Sequence, residues 1–586
     1  MALEPVFFAL GLLGAAALAF VGRRHTFGQA LRASAVFRGL ALAADTISAP
    51  FLLGVAGAVF TWGYDGLAFV LGLGGGYVLL QLLVAPLLPA AGASSVPDYF
   101  ERRYGGKAPR VTAAIIVVLS MAALLVAQLM AGGLVGARLL GVDYGLGVAV
   151  AAAALLLCFA LKGASGTAWA SGVLFPVMLL AFLAPLVLLS ASNYGVPVPQ
   201  VSYANTIWQI QSLEETLLEQ DLADPAVLKP LLRPFLSLNP VNFFGLILGL
   251  ALGTASLASV LSRHFMAPSE REARWSAVFG LVFAALMLTA APALAAYTKL
   301  SLLSLIADKT ELASLPAWIY TYGNLGLVEI CGRAATDAAA VAKACAELPD
   351  AGTVLRLQDL TLAPDMIALA ASEITGLGGT WLGLFGAAAL AAALVTADGP
   401  LAAIAGALGG ASDASGASRW EPLAMVAAAV AVAAVAAVAR PADMLTMATW
   451  AFTLAAAGLF PALIAGLWWR RASAPAAIAA MLLGFAVVLF YLIATRYFAV
   501  AFFEFWPSLS GAGPMARETF AELKEAWVAA APGPAQDAAW LALDAHARGI
   551  ANWWGIKDLA AVLLALPAGI VALVVVSLAM PRGWKA

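Results

Sequence analysis

Apolar residues fill long, nearly unbroken stretches of this chain, and polar residues collect between them. A helix needs about 20 apolar residues to cross the hydrocarbon core of a bilayer. Thirteen stretches meet that need: 4–21, 39–62, 66–89, 111–141, 144–161, 167–190, 241–262, 275–298, 380–409, 421–439, 443–469, 474–495 and 557–580. The pattern predicts an all-α polytopic membrane protein with about thirteen transmembrane helices.

Composition strengthens that reading. The 586 residues are 63% hydrophobic and 11% charged, with a mean hydropathy of +0.94. A soluble domain carries roughly 25% charged residues, so lipid must be the solvent for most of this chain. A net charge of −2 with no basic stripe points away from nucleic acid. No Gly-rich phosphate loop supports ATP-driven pumping, and no nucleophile–base pair supports an enzyme. His25, His264 and His546 are scattered and no C-x-x-C occurs, so no metal centre is expected. The first stretch opens on Glu4 and has its arginines after it, the reverse of a secretory signal, and reads as a retained helix.

Short-loop lysines and arginines set the orientation. Arg23, Arg24, Arg32 and Arg38 follow the first span, and Arg102, Arg103, Lys107 and Arg110 follow the third. Lys162, then Arg263, Arg271 and Arg274, then Arg419, Arg470, Arg471, Arg582 and Lys585 fall on the same side. That side is read as cytoplasmic, with the N-terminus outside, the C-terminus inside, and a cell membrane as the location. The long segments 191–240, 299–363 and 496–556 lie on the other side, and 207–220 and 539–554 read as amphipathic helices along that face. Cys331 and Cys345 enclose a short loop there, where disulfides persist, and are a candidate pair.

Two spans carry punctuation. The second, 39–57, holds Asp45, Thr46 and Ser48 at mid-depth, with Pro50 following. Proline lacks an N–H and disfavours helix in the residue before it, which frees carbonyls around Ala44 to Ile47. The seventh, 243–261, is interrupted by Gly249, Gly253, Thr254 and Ser256. Paired interrupted helices five spans apart point to an inverted-repeat transporter with its site at mid-depth, although Gly, Ser and Thr also serve ordinary helix packing. Asp398 lies in the ninth span, two residues after Thr396, where an unpaired carboxylate costs about 2.5–3.5 kcal/mol. It reads as an ion or proton site unless Gly399-Pro400 carries it to interfacial water. Because the two residues differ by about 200° on a helix, they are not expected to share a face.

In order along the chain stand DTISAPFLLGVAGAVFTWGYDGL (45–67), VPDYFERRYG (96–105), KGASGTAW (162–169) and GTASLASVLSRHFMAPSEREARWS (253–276). SEITGL (372–377), TADG (396–399) and TWAFTLAAAGLFPALIAGLWWRR (449–471) follow. This ordered set resembles the sodium:solute symporter family, nearest its acetate/monocarboxylate branch. The resemblance implies a LeuT-type fold with two inverted five-helix repeats, 39–190 and 241–469, preceded by an extra helix and basic loop (1–38) and followed by extra helices (470–586). It also implies a sodium site between the second and ninth spans, with carbonyls of Ala44 and Ile47 and the hydroxyl of Thr396 as ligands; Asp398 is a further candidate on which a cage short of one ligand could lean. Thr46, Ser48, Phe51, Thr254 and Ser256 are the candidate solute-binding residues, with an anionic solute expected at half-helix N-termini near Thr254–Ser256. Asp45 and Asp398 are candidate proton or second-ion sites. The family's serine before that threonine is here Val395, its branch's proline and histidine in the seventh span are Ala258 and Ser259, and a polar position in the sixth span is only Ser171.

The expectation is cation-coupled symport of a small solute, with Na+ or H+ as the coupling ion and no other cofactor. Solute, ion and bilayer are the expected partners, and acetate is the candidate solute. A non-transporting sensor of the same fold is the alternative, weakened by the short segment after the last span.

Overall fold

The computed structural model describes residues 3–24, 34–162, 167–347, 352–408 and 420–579. Arg32, Arg419, Arg582 and Lys585, used above for orientation, and Gly163–Gly166 of the third quoted motif lie outside them. Because the side assigned to each face is an expectation, the faces are called here the loop-rich face and the basic face.

The first span is α1 (Glu4–Arg24). The second is two helices, α2 (Ala35–Thr46) and α3 (Ala49–Trp62). Ile47 leaves the helix at φ −87°, ψ 56°, and Ser48 is extended at φ −68°, ψ 173°. Pro50 stands in the first turn of α3, where a missing N–H costs nothing. A tight turn at Gly63–Gly66 leads into α4 (Leu67–Leu79). Then come α5 (Lys107–Leu140), α6 (Tyr144–Lys162) and α7 (Thr167–Tyr194), followed by α8 (Pro199–Glu219) on the loop-rich face.

The seventh span also breaks, into α9 (Pro240–Ser256) and α10 (Ala258–Phe265), with Leu257 extended at φ −64°, ψ 127°. Gly249 and Gly253 do not make this break. They lie inside α9 and permit close packing: a Cβ on Gly253 would lie 2.6 Å from the Phe452 carbonyl oxygen. The chain continues as α11 (Glu270–Leu288), α12 (Ala291–Ala307), α13 (Ile367–Ile374), α14 (Gly379–Thr396) and α15 (Asp398–Leu408). It ends with α16 (Trp420–Ala439), α17 (Met444–Gly458), α18 (Phe460–Trp468), α19 (Ala474–Tyr497), α20 (Pro514–Ala529), α21 (Pro534–Ile550) and α22 (Val562–Ala579).

Among the described residues, ten helical stretches are long and apolar enough to cross a membrane, and the bent pair α17 and α18, at 43°, makes eleven. The difference from thirteen comes from the breaks. Ala49–Ala91 joins α3 to the third predicted span, and Met425–Ala439 is apolar but short. All thirteen predicted spans fall on helices.

The long loops are structured. In the 299–363 segment, β1 (Val328–Ile330) pairs antiparallel with β2 (Arg333–Ala334) and β3 (Leu360–Leu362). Cys331 and Cys345 are joined by a disulfide across it, their Cα atoms 5.2 Å apart. Charge ties these loops down. Asp65 accepts the backbone N–H groups of Phe235, Ser237 and Leu238 at 2.7, 2.7 and 2.8 Å. Lys299 of α12 pairs with Glu214 of α8 at 2.9 Å, both buried.

Candidate functional site

The breaks place two pairs of helix ends at mid-depth. α2 ends where α3 begins, and α9 ends where α10 begins. A helix N-terminus exposes free N–H groups and its C-terminus free carbonyls. At the first break, Thr46 donates its hydroxyl back to Leu42 O at 3.0 Å, and Tyr77 of α4 donates to the same carbonyl at 3.2 Å. Ser48 Oγ is buried with no hydrogen-bond partner. Phe51, one turn into α3, meets Phe452 of α17 edge-on at 5.2 Å between ring centres. At the second break, Thr254 and Ser256 donate to Leu250 O and Leu252 O, each at 2.8 Å.

That corrects one expectation. Thr254 and Ser256 close α9, the carbonyl end, rather than opening a half-helix. The first N–H groups of α10 belong to Ala258, Ser259 and Val260, since the ladder starts with Leu261 N to Leu257 O at 2.9 Å.

Arg263 joins the two breaks. Its guanidinium pairs with Asp45 of α2 and donates to Ser171 Oγ of α7 at 3.2 Å. Arg263, expected in a loop, stands on α10 within the apolar stretch Pro240–Phe265. Asp45 consequently has a cation beside it. Its Oδ1 remains buried without a partner.

Thr396 ends α14, which packs against both α2 and α3. Its hydroxyl donates to Ala392 O at 2.8 Å and accepts Gln128 Nε2 of α5 at 2.9 Å. A hydroxyl oxygen offers two acceptor lone pairs, so one is left for an ion. Gln128 was missed by the sequence reading, although a lone amide in the apolar run 111–141 was a visible signal. Ala44 and Ile47 are buried, at 0% and 2% exposure.

Asp398 opens α15 beyond Ala397 and lines a small cavity, about 20 Å³, with Ala15, Cys158, Ala170, Leu394 and Val395. It therefore looks toward α1, α6 and α7, while Thr396 looks toward α5. Val395 faces that cavity as well, and supplies no second hydroxyl.

A polytopic helical chain with two broken spans bridged at mid-depth is the architecture of an inverted-repeat membrane transporter. Residues 31–303 match the model of the sodium:solute symporter family. The chain is 29% identical over 568 residues to an uncharacterized symporter of Cupriavidus necator, covering 79% of this chain and 80% of that one. An uncharacterized symporter of Bacillus subtilis is 28% identical over 254 residues, 43% of this chain and 46% of that one. Among solved structures, the substrate-bound outward-open state of a Na+-coupled sialic acid symporter superposes with a TM-score of 0.55 at 14% identity, covering 99% of this chain and 98% of that one. Over residues 31–303 the chain is similar to the sodium:solute symporter family, and its fold is the LeuT type with two inverted five-helix repeats. It is a transporter, not an enzyme.

Proposed function

We propose that this symporter couples Na+ entry to the uptake of a small solute, a short monocarboxylate such as acetate, with the loop-rich face outside. The observation that carries the reading is the meeting of two broken spans, at Ile47–Ser48 and at Leu257, through Asp45 and Arg263. Carbonyls of Ala44 and Ile47 with the Thr396 hydroxyl would form the cation site, since a hard cation takes oxygen ligands. An ion held there ties the second span to α14 and biases the conformational equilibrium by its differential affinity. The solute carboxylate would take the free N–H groups that open α10, with the Ser48 hydroxyl at the other break. Thr46, Phe51, Thr254 and Ser256 would line the remainder.

Proton coupling is the second reading. It is favoured by the Gln128 amide on Thr396 and by Val395, which leave the cation cage short of oxygen. Radiolabelled acetate uptake into proteoliposomes under imposed sodium or pH gradients separates the two. Acetic acid crosses bilayers unaided, so only accumulation above protein-free liposomes counts. Sodium-driven accumulation supports the first reading and purely proton-driven accumulation the second; neither gradient driving uptake of any small acid refutes both.

A further inference from the structure

The 364–366 turn (Pro364–Met366) sits at the loop-rich end of the seam between α3 and α17. It is a tight insertion: a Cβ added at Gly57 of α3 would lie 2.0 Å from the Pro364 carbonyl oxygen. The next side chain, Asp365, reaches the other wall, where its Oδ2 accepts the N–H of Met444, the first residue of α17, at 3.1 Å. Below the turn α3 and α17 close on each other. A Cβ on Gly54 would meet Leu445 Cβ at 2.8 Å, and Phe51 meets Phe452. α3 runs along this seam from the break at Ser48 to the loop-rich face, so the turn caps the seam's outer end.

We propose that Asp365 is a proton-binding residue that latches the loop-face entrance: protonated, it seats the turn between α3 and α17, and ionised, it leaves and the seam opens.

Charge is mismatched at this helix start. The start of α17 already has a carboxylate cap, Asp443, whose oxygens accept Thr446 N at 2.8 Å and Thr446 Oγ1 at 2.7 Å. Asp365 brings a second carboxyl to the same helix end. The nearby cation is committed elsewhere: Arg440 lies over the Tyr144 ring at 3.6 Å and gives two N–H groups to Leu325 O, both at 3.2 Å. The titratable and charged groups facing Asp365 are thus Asp443 and Arg440 from the turn before α17, and Tyr144 from the start of α6. Asp558 and Arg496 stand behind Asp443. α3 contributes none, since Ala49–Trp62 holds no ionisable side chain. The residue is half-buried, so protons reach it, yet its Oδ1 is sealed with no partner.

Burial, then the Asp443 carboxylate, push the Asp365 carboxyl up to about 8 in this closed arrangement. A seam that opens gives the carboxyl back to water, where about 3.9 is usual. The closed form therefore holds its proton more tightly. Its stabilisation is complete below the open-state value and is lost as pH rises through about 8.

The test reads the seam directly, in full-length protein in proteoliposomes. Leu445→Cys, in a Cys158→Ala background, puts a thiol where α17 faces Gly54, and an impermeant methanethiosulfonate reports its accessibility. Thiolate chemistry quickens with pH by itself, so each rate is divided by that of the same protein carrying Asp365→Asn, which stays neutral and latched. The ratio should rise at least about tenfold between roughly pH 6 and 9, and a flat ratio overturns the proposal. Asp443→Asn keeps a capping side chain but removes the repelling charge, so the rise should move about one pH unit lower; an unmoved midpoint also overturns it. Amide exchange over 442–449, with no introduced cysteine, gives the same ratio if Leu445→Cys fails to insert. The readout needs neither solute nor coupling ion, so its failure leaves the transport reading untouched.

Discussion

The Arg263–Asp45 pair is the interaction whose removal should be felt most, and its two ends should not be equivalent. Asp45 is almost closed to water, with its side chain 3% exposed, while that of Arg263 is 15% exposed. Removing one partner of a buried ion pair costs about 3–5 kcal/mol, because the survivor keeps its desolvation penalty without its counter-charge. Arg263→Gln strands the Asp45 carboxylate, whose Oδ1 already lacks a partner, and should sit at the upper end of that range. Asp45→Asn strands a guanidinium on a long stem that can turn toward interfacial water, so it should cost about half as much. The neutral double variant Asp45→Asn/Arg263→Gln should cost less than Arg263→Gln alone, since no uncompensated charge is left. Thermal unfolding in detergent, followed by light scattering and intrinsic fluorescence for all four proteins, gives the cycle. Equal losses from the two single changes, or a double variant as unstable as Arg263→Gln, would refute the argument and reduce the pair to a screened contact.

The remaining predictions concern ion, proton and loop. Thr396→Ala should raise the sodium needed for half-maximal uptake while Thr396→Ser stays nearly silent; equal loss would assign the effect to methyl packing. Gln128→Leu releases the lone pair now held by the amide, worth ~1 kcal/mol, and should lower that sodium concentration about fivefold; no change would show that the hydroxyl is not a ligand. Asp398→Asn should impair coupled uptake more than expression and alter its pH profile, and wild-type uptake from about pH 5.5 to 8.5 would make it a solvated helix-end residue. Peptides from unreduced protein should show Cys331 bonded to Cys345, a closure of about 15 residues contributing ~3 kcal/mol in the chain-entropy model, and two alkylated thiols would refute it.

Helix positions were legible because lipid leaves a plain signature: a run of apolar residues long enough to span it. The first break was legible too, because Pro50 acts on its own chain neighbours. The second was only half legible. Gly249 and Gly253 stood out, but their role depends on what packs against them, and Phe452 lies some 200 residues away. Leu257, where the backbone leaves the helix, has no distinguishing side chain. Partnerships were the least legible of all. Which acceptor Gln128 finds, or which carboxylate Arg263 reaches, is set by the faces that α5, α10 and α14 turn toward one another. Thr396 closes α14 and Asp398 opens α15, and the two face different neighbours, as their spacing suggested.

The charges on the loop-rich face sort its joints by what opposes them. Arg138 at the end of α5 holds Glu4 of α1 at 3.1 Å and Glu373 of α13 at 2.6 Å, and Tyr322 donates to Glu373 at 2.9 Å. Lys299 faces Glu214, and Asp65 faces three N–H groups. At Arg138 and Lys299 a buried charge meets its opposite, and at Asp65 it meets backbone donors, so separating the elements would strand it, at a cost of several kcal/mol. Such joints should move as one piece, α1 with α5 and α13, and α8 with α12. Asp365 is the reverse case, a carboxyl set beside another carboxyl at a helix start. Parting there relieves repulsion instead of creating an orphan charge. An entrance on this face should therefore open along the α3–α17 seam, because that is where electrostatics resists separation least once the proton has gone.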